Sequence, residues 1–450
     1  MVKYHRRRLT KLNVFMNGEL VGVWEQSRAT SSFTYDESWL TSEYFRPISL
    51  SIPVTPSRKV SGKPVEFFFD NLLPDSRDIR NRLAAKYKTG DSEAFSLLTE
   101  VGRDCVGAIQ IMPQDEEPPR VQQILAAPYS DADIAKHLRG IPKGALNIED
   151  DEDELRLSIA GAQEKTALLK IDGQWYKPEG ATPTTHLLKL PLGLVGGRKL
   201  DLQHSIENEW LCSLIARAFG IDVAECEIGL FEDQKALVVT RFDREFFEDG
   251  TWIIRIPQED MCQALGFSSH MKYQRDGGPG IEEIHQLLKA SAYSEDDMLA
   301  FYRTQVLFYL LVATDGHAKN FSISIDRGGE YALTPLYDVL SLSPIVGNGA
   351  GQVEYNRAKL AMAIKSKNQH YAFRELQYRH YEVLMENMNI ANLKPGTSVL
   401  DEMLDQVDDV ISLVEALVPD GFNEDTANRI FTGMRMQRDR LRIENLSPIT

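Results

Sequence analysis

The sequence predicts an α+β chain in two lobes, β-rich ahead of about residue 245 and all-α behind it, with an extra N-terminal subdomain. Three observations carry this expectation. Leu155, Leu157 and Ile159 alternate with Arg156 and Ser158, the period-two pattern of a half-buried strand, and similar short apolar runs recur through the first half. From Glu259 onward the segments read instead as successive helices. Acidic runs at Gln114–Pro119 and Glu149–Glu154 read as solvated loops, the second marking a boundary. The expected divisions are 1–150, an N-terminal β/α subdomain; 151–245, a sheet lobe; and 246–450, a helical lobe.

The totals bound the function. A chain of 450 residues can hold two or three domains with sizeable cores. Its formal charge of −16 disfavours nucleic acid or anionic lipid as a partner of the whole surface. Cys105, Cys212, Cys226 and Cys262 are widely spaced, with no Cys-x-x-Cys pair, and read as reduced core residues. The apolar stretch after the basic Lys3–Lys11 segment is too short for a signal peptide, and the run from Val306 to Ala313 is too short to span a bilayer. The expectation is a cytoplasmic protein with no membrane partner.

In the front part, Asn17-Gly18 between apolar runs predicts a type I′ hairpin over Leu12–Trp24. Phe67 to Asp75 leads into a helix over Arg77–Tyr87, and Val106–Met112 reads as a strand. Past residue 154 the strand 155–159 breaks at Ala160-Gly161-Ala162-Gln163-Glu164-Lys165-Thr166 and resumes over Ala167–Ile171. Strand, loop and strand is how backbone N–H groups cover nucleotide phosphates. With one glycine the loop is neither Gly-x-Gly-x-x-Gly nor a Walker A, and a plain hairpin turn accounts for it locally.

Thr185 to Leu190 sets Lys189 among apolar neighbours, where an ammonium is costly unless an anion meets it. A helix over Ser205–Phe219, closed by Gly220, follows with two candidate glutamates. Helical phase puts Glu207 nearer the apolar stripe than Glu209, and the sequence leaves the choice open. The strand Ala236–Asp243 stands where a hinge would meet adenine. Ser294 and Asp297 read as a capping box for a helix through Leu311.

That helix delivers Asp315-Gly316-His317-Ala318-Lys319-Asn320, and a hairpin (321–325, 331–336) then leads to Tyr337-Asp338. An Asp and an Asn five positions apart, with a second Asp eighteen residues after the Asn, have the order and spacing of base and metal ligands in protein-kinase phosphoryl transfer. The usual His-Arg before the first Asp is missing. Beyond Pro344 the chain reads as helical to its end. The fold expected from the whole series is a two-lobed, protein-kinase-like one.

These residues resemble a known family. Phe68 to Asp75, Ser158 to Thr166, Thr184-Thr185-His186 with Lys189, Pro257 to Gln263 and Ala313 to Phe321 together look like the HipA family, serine/threonine-protein kinase toxins of HipBA toxin–antitoxin modules. The resemblance implies Asp315 as catalytic base and Asn320 and Asp338 as Mg2+ ligands. It implies Ala160, Gly161, Ala162, Gln163, Glu164 and Lys165 as phosphate contacts and Lys189 as the ATP lysine. Thr240, Arg241 and Phe242 match the hinge, although a family member has Glu at the Thr240 position. His317, Ala318, Lys319, Asn320, Tyr337 and Asp338 match further nucleotide contacts. Ser158 matches an autophosphorylation site whose added charge would repel ATP phosphates.

The family further implies a glutamyl-tRNA synthetase as protein substrate, growth arrest and persistence as outcome, and a helix-turn-helix HipB-type antitoxin that represses its operator. Operator DNA would be met mainly through the antitoxin, because Tyr381 to Asn387 is acidic where the family has basic contacts. Lys365, Lys367, Arg374 and Arg379 read as a solvated face. Alternatives of other classes are a small-molecule or lipid kinase, which shares Asp-x-x-x-x-Asn, and a non-catalytic co-repressor.

Overall fold

Asn17 and Gly18 both take left-handed backbone, with φ of 45° and 87°. That conformation matches the right-handed twist of paired strands, so the turn joins Lys11–Met16 to Glu19–Gln26 as a tight hairpin. The structure is a computed structural model that describes residues 10–28, 30–141, 160–161, 163–196, 199–390 and 397–446. It divides into two units. One takes Met1–Leu187, Arg241–His270 and Ile323–Tyr331, and the other takes Leu188–Thr240, Met271–Ser322 and Ala332–Thr450.

In the first unit the hairpin grows into a five-stranded antiparallel sheet in the order Lys59–Ser61, Ser31–Tyr35, Glu19–Gln26, Lys11–Met16, Ile109–Pro113. The helix Lys63–Asp70 turns Val65, Phe68 and Phe69 inward. Phe69 stacks on Trp24 of the sheet at 3.9 Å between ring centroids, and both rings are fully buried. Aromatic groups of that size bury roughly 150–250 Å² each, which makes this contact the centre of the front core. The expected helix Arg77–Tyr87 is present. The strand expected over Ala167–Ile171 begins two residues earlier, so Lys165 and Thr166 belong to the strand Lys165–Ile171 and not to the loop, and it pairs with Gln174–Pro178.

The same unit holds an ion cluster for which the sequence offered no signal. Arg241, Arg244 and Arg255 converge on Asp104 and Asp243, all five at most 9 % exposed. Burial opposes ionisation of Asp104, but the facing guanidinium groups of Arg244, Arg241 and Arg255 outweigh it and hold the carboxyl well below its usual range. The site carries three cations against two anions, and burial lowers the pKa of the Arg255 guanidinium to about 10.

Glu259 is a second buried charge candidate of the opposite kind. It is fully buried, and its Oε1 accepts from Leu50 N–H at 2.8 Å. Burial raises its pKa from 4.5 to about 8. The folded state therefore keeps the proton over a range in which the unfolded chain gives it up. The contribution of this group to stability is full below pH 4.5 and is lost as pH rises from there to about 8. Glu259→Gln is expected to remove most of that dependence, which amounts to a few kcal/mol at about 1.4 kcal/mol for each pH unit. Urea unfolding at pH 5 and pH 8 checks it, and an equal loss of stability in both proteins would refute it.

In the second unit the helix Ser205–Ala218 is buried almost all round and ends where Gly220 takes φ 73°. The hairpin Cys226–Phe231 with Gln234–Thr240 follows it. The helices Ser294–Leu310, Tyr378–Asn387, Val399–Glu415 and Glu424–Leu446 make the larger part of the unit.

Two sequence expectations are corrected here. Ser294 and Asp297 form no capping box: Tyr293 stands at the cap position, and the Asp297 carboxylate accepts from the Ser291 hydroxyl at 2.6 Å and Leu333 N–H at 3.0 Å. The stretch beyond Pro344 is not wholly helical either, so the later part is mainly rather than purely α. Lys359–Lys365 and Gln369–Ala372 form an antiparallel hairpin. Leu360-Ala361-Met362-Ala363-Ile364 are good helix formers by propensity, but all five are buried. A strand covered on both faces accommodates such a run, and a single turn of surface helix does not. Cys105, Cys212 and Cys262 are buried, whereas Cys226, expected in the core as well, is only half-buried. Among the described residues no helix is long and apolar enough to cross a membrane.

Candidate active site

Lys189 ends the strand His186–Lys189 and is 3 % exposed. Its ammonium donates to Glu209 Oε1 at 2.5 Å and to Asp338 Oδ1. Burial alone would lower the lysine's pKa, but the Asp338 and Glu209 carboxylates outweigh it and hold the ammonium charged, above its usual range. The glutamate left open by the sequence is thus Glu209. Glu207 pairs instead with Lys235 on the neighbouring hairpin, at 2.8 Å. Helical phase misled here because Ser205 to Glu209 are all buried, so no single stripe defines an inside.

Asp338 is held at both ends. Leu336 N–H donates to Asp222 O, and the Leu336 carbonyl accepts from Ala224 N–H. Beyond it, the Asn208 carboxamide closes a two-bond ring on the Ser341 backbone, at 2.7 and 2.9 Å. Between these anchors Asp338 takes φ 58°, a left-handed conformation that Asp tolerates better than most residues but that costs roughly 1–2 kcal/mol.

The Asp315 loop is built by sterics and short hydrogen bonds. A Cβ on Gly316 would stand 2.0 Å from the Phe308 ring on the preceding helix, so only glycine fits. Gly316→Ala is expected to cost about 1–3 kcal/mol through overpacking and to displace Asp315. A melting curve together with a phosphate-transfer assay would test it, and a variant with native stability and turnover would overturn it. His317 N–H donates to Asp315 O, and Ala318–Asn320 form a 3₁₀ turn. The Asn320 carboxamide then donates to the backbone carbonyls of Asp315 at 2.9 Å and Asp338 at 3.5 Å. One buried side chain therefore binds both aspartates' backbones and leaves its own oxygen uncommitted to them. The Tyr337 hydroxyl donates to Lys319 O at 2.9 Å, fixing the same loop from the Asp338 side.

Asp315 itself is open to solvent, its side chain 57 % exposed. Tyr273, which sequence reasoning missed, donates its hydroxyl to Asp315 Oδ1 at 2.5 Å. A small pocket lined by Glu209, Val223, Cys226, Val239, Tyr337 and Asp338 adjoins the lysine's two carboxylates.

The chain matches two family models, the HipA N-terminal domain over residues 12–112 and the HipA-like C-terminal domain over residues 157–412. The chain belongs to the HipA family. The kinase-named protein Y4mE of Sinorhizobium fredii is 36 % identical over 73 % of this chain and 77 % of its own length. The serine/threonine-protein kinase toxin HipA of Shewanella oneidensis is 28 % identical over 85 % of this chain and 84 % of its own. The solved Shewanella toxin–antitoxin complex of HipA, HipB and operator DNA is similar in fold. It has a TM-score of 0.76 at 21 % identity and covers 97 % of this chain and all of that one. As a HipA-family member the chain is a protein kinase.

Other family-implied residues are divided between the two units. The Gly161 carbonyl accepts from Asp75 N–H at 3.0 Å, and Glu164 pairs with Arg82. Gly161 takes φ 106°, a conformation that suits glycine. Arg241 sends its side chain into the buried ion cluster and its N–H to Thr185 O, so both are committed to structure. Thr240 closes the second unit's hairpin, its N–H donating to Glu225 O. His317 and Lys319 are buried. Ser158 and Ala162 lie outside the described residues.

Proposed function

We propose that this HipA-family kinase transfers the γ-phosphoryl group of ATP, with Mg2+, to a serine or threonine hydroxyl of a protein. The observation that carries the reading is the junction in which Lys189 joins Glu209 to Asp338 while Asn320 spans Asp338 and Asp315. The donor set suits magnesium: a carboxylate and a carboxamide oxygen are hard ligands, and Mg2+ takes one or two of them beside phosphate and water. Magnesium, when bound, neutralises charge on the phosphates.

The chain's own residues do the remaining work. Asp315 orients the acceptor hydroxyl and takes its proton. Asn320 and Asp338 offer oxygens to the cation. Lys189, held charged, offers N–H donors to phosphate oxygens, and Glu209 keeps its ammonium in place. Tyr337 and the 317–319 backbone shape the loop around them. For Ala160 to Lys165 as phosphate contacts and Thr240 to Phe242 as hinge, the reading rests on the motif resemblance alone. The same holds for glutamyl-tRNA synthetase as target and for Ser158 autophosphorylation; a HipB-type antitoxin acting with operator DNA is the last part of the reading. The Shewanella HipA complex, which contains HipB and operator DNA, supports that last part.

Mass spectrometry of the purified chain after incubation with Mg–ATP tests the reading. A gain of phosphate on Ser158 is expected, together with transfer to purified glutamyl-tRNA synthetase. Absence of phosphate from every protein offered would overturn it.

A further inference from the structure

The carboxylate of Asp315 has two oxygens, and the structure treats them differently. Oδ1 accepts the Tyr273 hydroxyl at 2.5 Å and faces His317 Nε2 at 3.9 Å. Neither group reaches Oδ2. An aspartate side chain that is more than half exposed has little packing to fix its two torsions, and its loop supplies no other side-chain donor within hydrogen-bond distance. Tyr273 does have such packing. Its ring meets His317 edge to face at 5.0 Å, and Lys272 and Arg275 place cations against it at 5.6 and 5.2 Å. The backbone beneath is tied in as well, since Ala318 N–H donates to Lys272 O.

We infer that Tyr273 is a positioning residue for phosphate transfer: it holds Oδ1 of Asp315 and so presents Oδ2 to the acceptor hydroxyl. The inference rests on the reading of Asp315 as base. It assigns a role to the segment between the helix Met261–Leu265 and the glycine-rich loop 276–280, whose residues form no motif that points to chemistry. A base held in one rotamer meets its proton donor in the reactive geometry, and loss of such alignment slows the chemical step more than it weakens binding.

The test compares the full-length wild-type chain with Tyr273→Phe, Asp315→Asn and the double variant. Labelled ATP is the donor, and the chain itself and dephosphorylated casein are acceptors. Tyr273→Phe is expected to lower kcat by about 10-fold to 100-fold with KM for ATP unchanged and the melting temperature preserved. In the Asp315→Asn background the same change is expected to add nothing, because it acts only through that carboxylate.

If Tyr273→Phe turns over at the wild-type rate while Asp315→Asn is inactive, the positioning role fails and the kinase reading stands. If Asp315→Asn retains turnover, or the wild type transfers no phosphate, the reading of the site fails and takes this inference with it. Should Tyr273→Phe fold poorly, Tyr273→Gln and Tyr273→Leu make the same comparison. The first keeps a donor and is expected to retain more of the rate, and equal rates in the two would refute the role.

Discussion

Asp315→Asn is expected to reduce phosphate transfer by about 10²–10⁴-fold, the usual contribution of a general base, while Mg–ATP still binds. The separation follows from the local geometry. Asn320 is held by the backbone carbonyl of Asp315, not by its carboxylate, and Lys189 reaches Asp338 and Glu209 without touching residue 315. An isosteric carboxamide leaves those contacts alone and removes only the carboxylate proposed as the proton acceptor. Transfer of labelled phosphate measures the loss, and a thermal shift on adding Mg–ATP measures binding. Turnover near the wild-type rate would remove Asp315 from its role, and lost binding would show that the loop itself had been disturbed.

Lys189→Met carries the largest expected cost to the fold. The side chains of Lys189 and Glu209 are 3 % and 8 % exposed, so removing the ammonium leaves a buried carboxylate with its counter-ion gone. Breaking such a pair by removing one member costs about 3–5 kcal/mol. Asp338 is a third exposed, and water takes over part of its charge, so most of that cost falls on Glu209. Phosphate transfer is expected to vanish as well, because Lys189 is the proposed donor to the phosphates. Denaturant unfolding separates the two effects. Lys189→Met combined with Glu209→Gln is expected to regain stability without regaining transfer, and a double variant no more stable than Lys189→Met would refute the charge argument.

Much of this site was legible in the sequence because its parts obey local rules. The Asp315 loop, the lysine strand, the hairpin before Asp338 and the Asn17-Gly18 turn are each written in consecutive residues, and their order was informative where each alone was not. What the sequence did not contain were pairings across long separations. Asp104 meets Arg255 across a separation of 151 positions, and nothing near either predicts the other. Tyr273 meets Asp315 across 42 residues, beside a glycine-rich loop that reads as a plain connection. The hairpin over Lys359–Ala372 was hidden by residues whose helical propensity is overridden by burial on both faces. Glu209 was obscured in the same way, by a helix with no exposed side near its start.

The buried cluster around Asp104 has a consequence for any shortened product of this gene. Arg241, Arg244 and Arg255 all come from a later pass of the chain, so a polypeptide that stopped before residue 241 would contain the acid and none of its three cationic neighbours. The amino-terminal half would then keep the Thr184 N–H and hydroxyl beside that buried carboxylate but no charge to balance it. Translation must therefore run past residue 255 before that half can settle, and a nonsense mutation upstream would leave material for proteolysis instead of a separately folded piece.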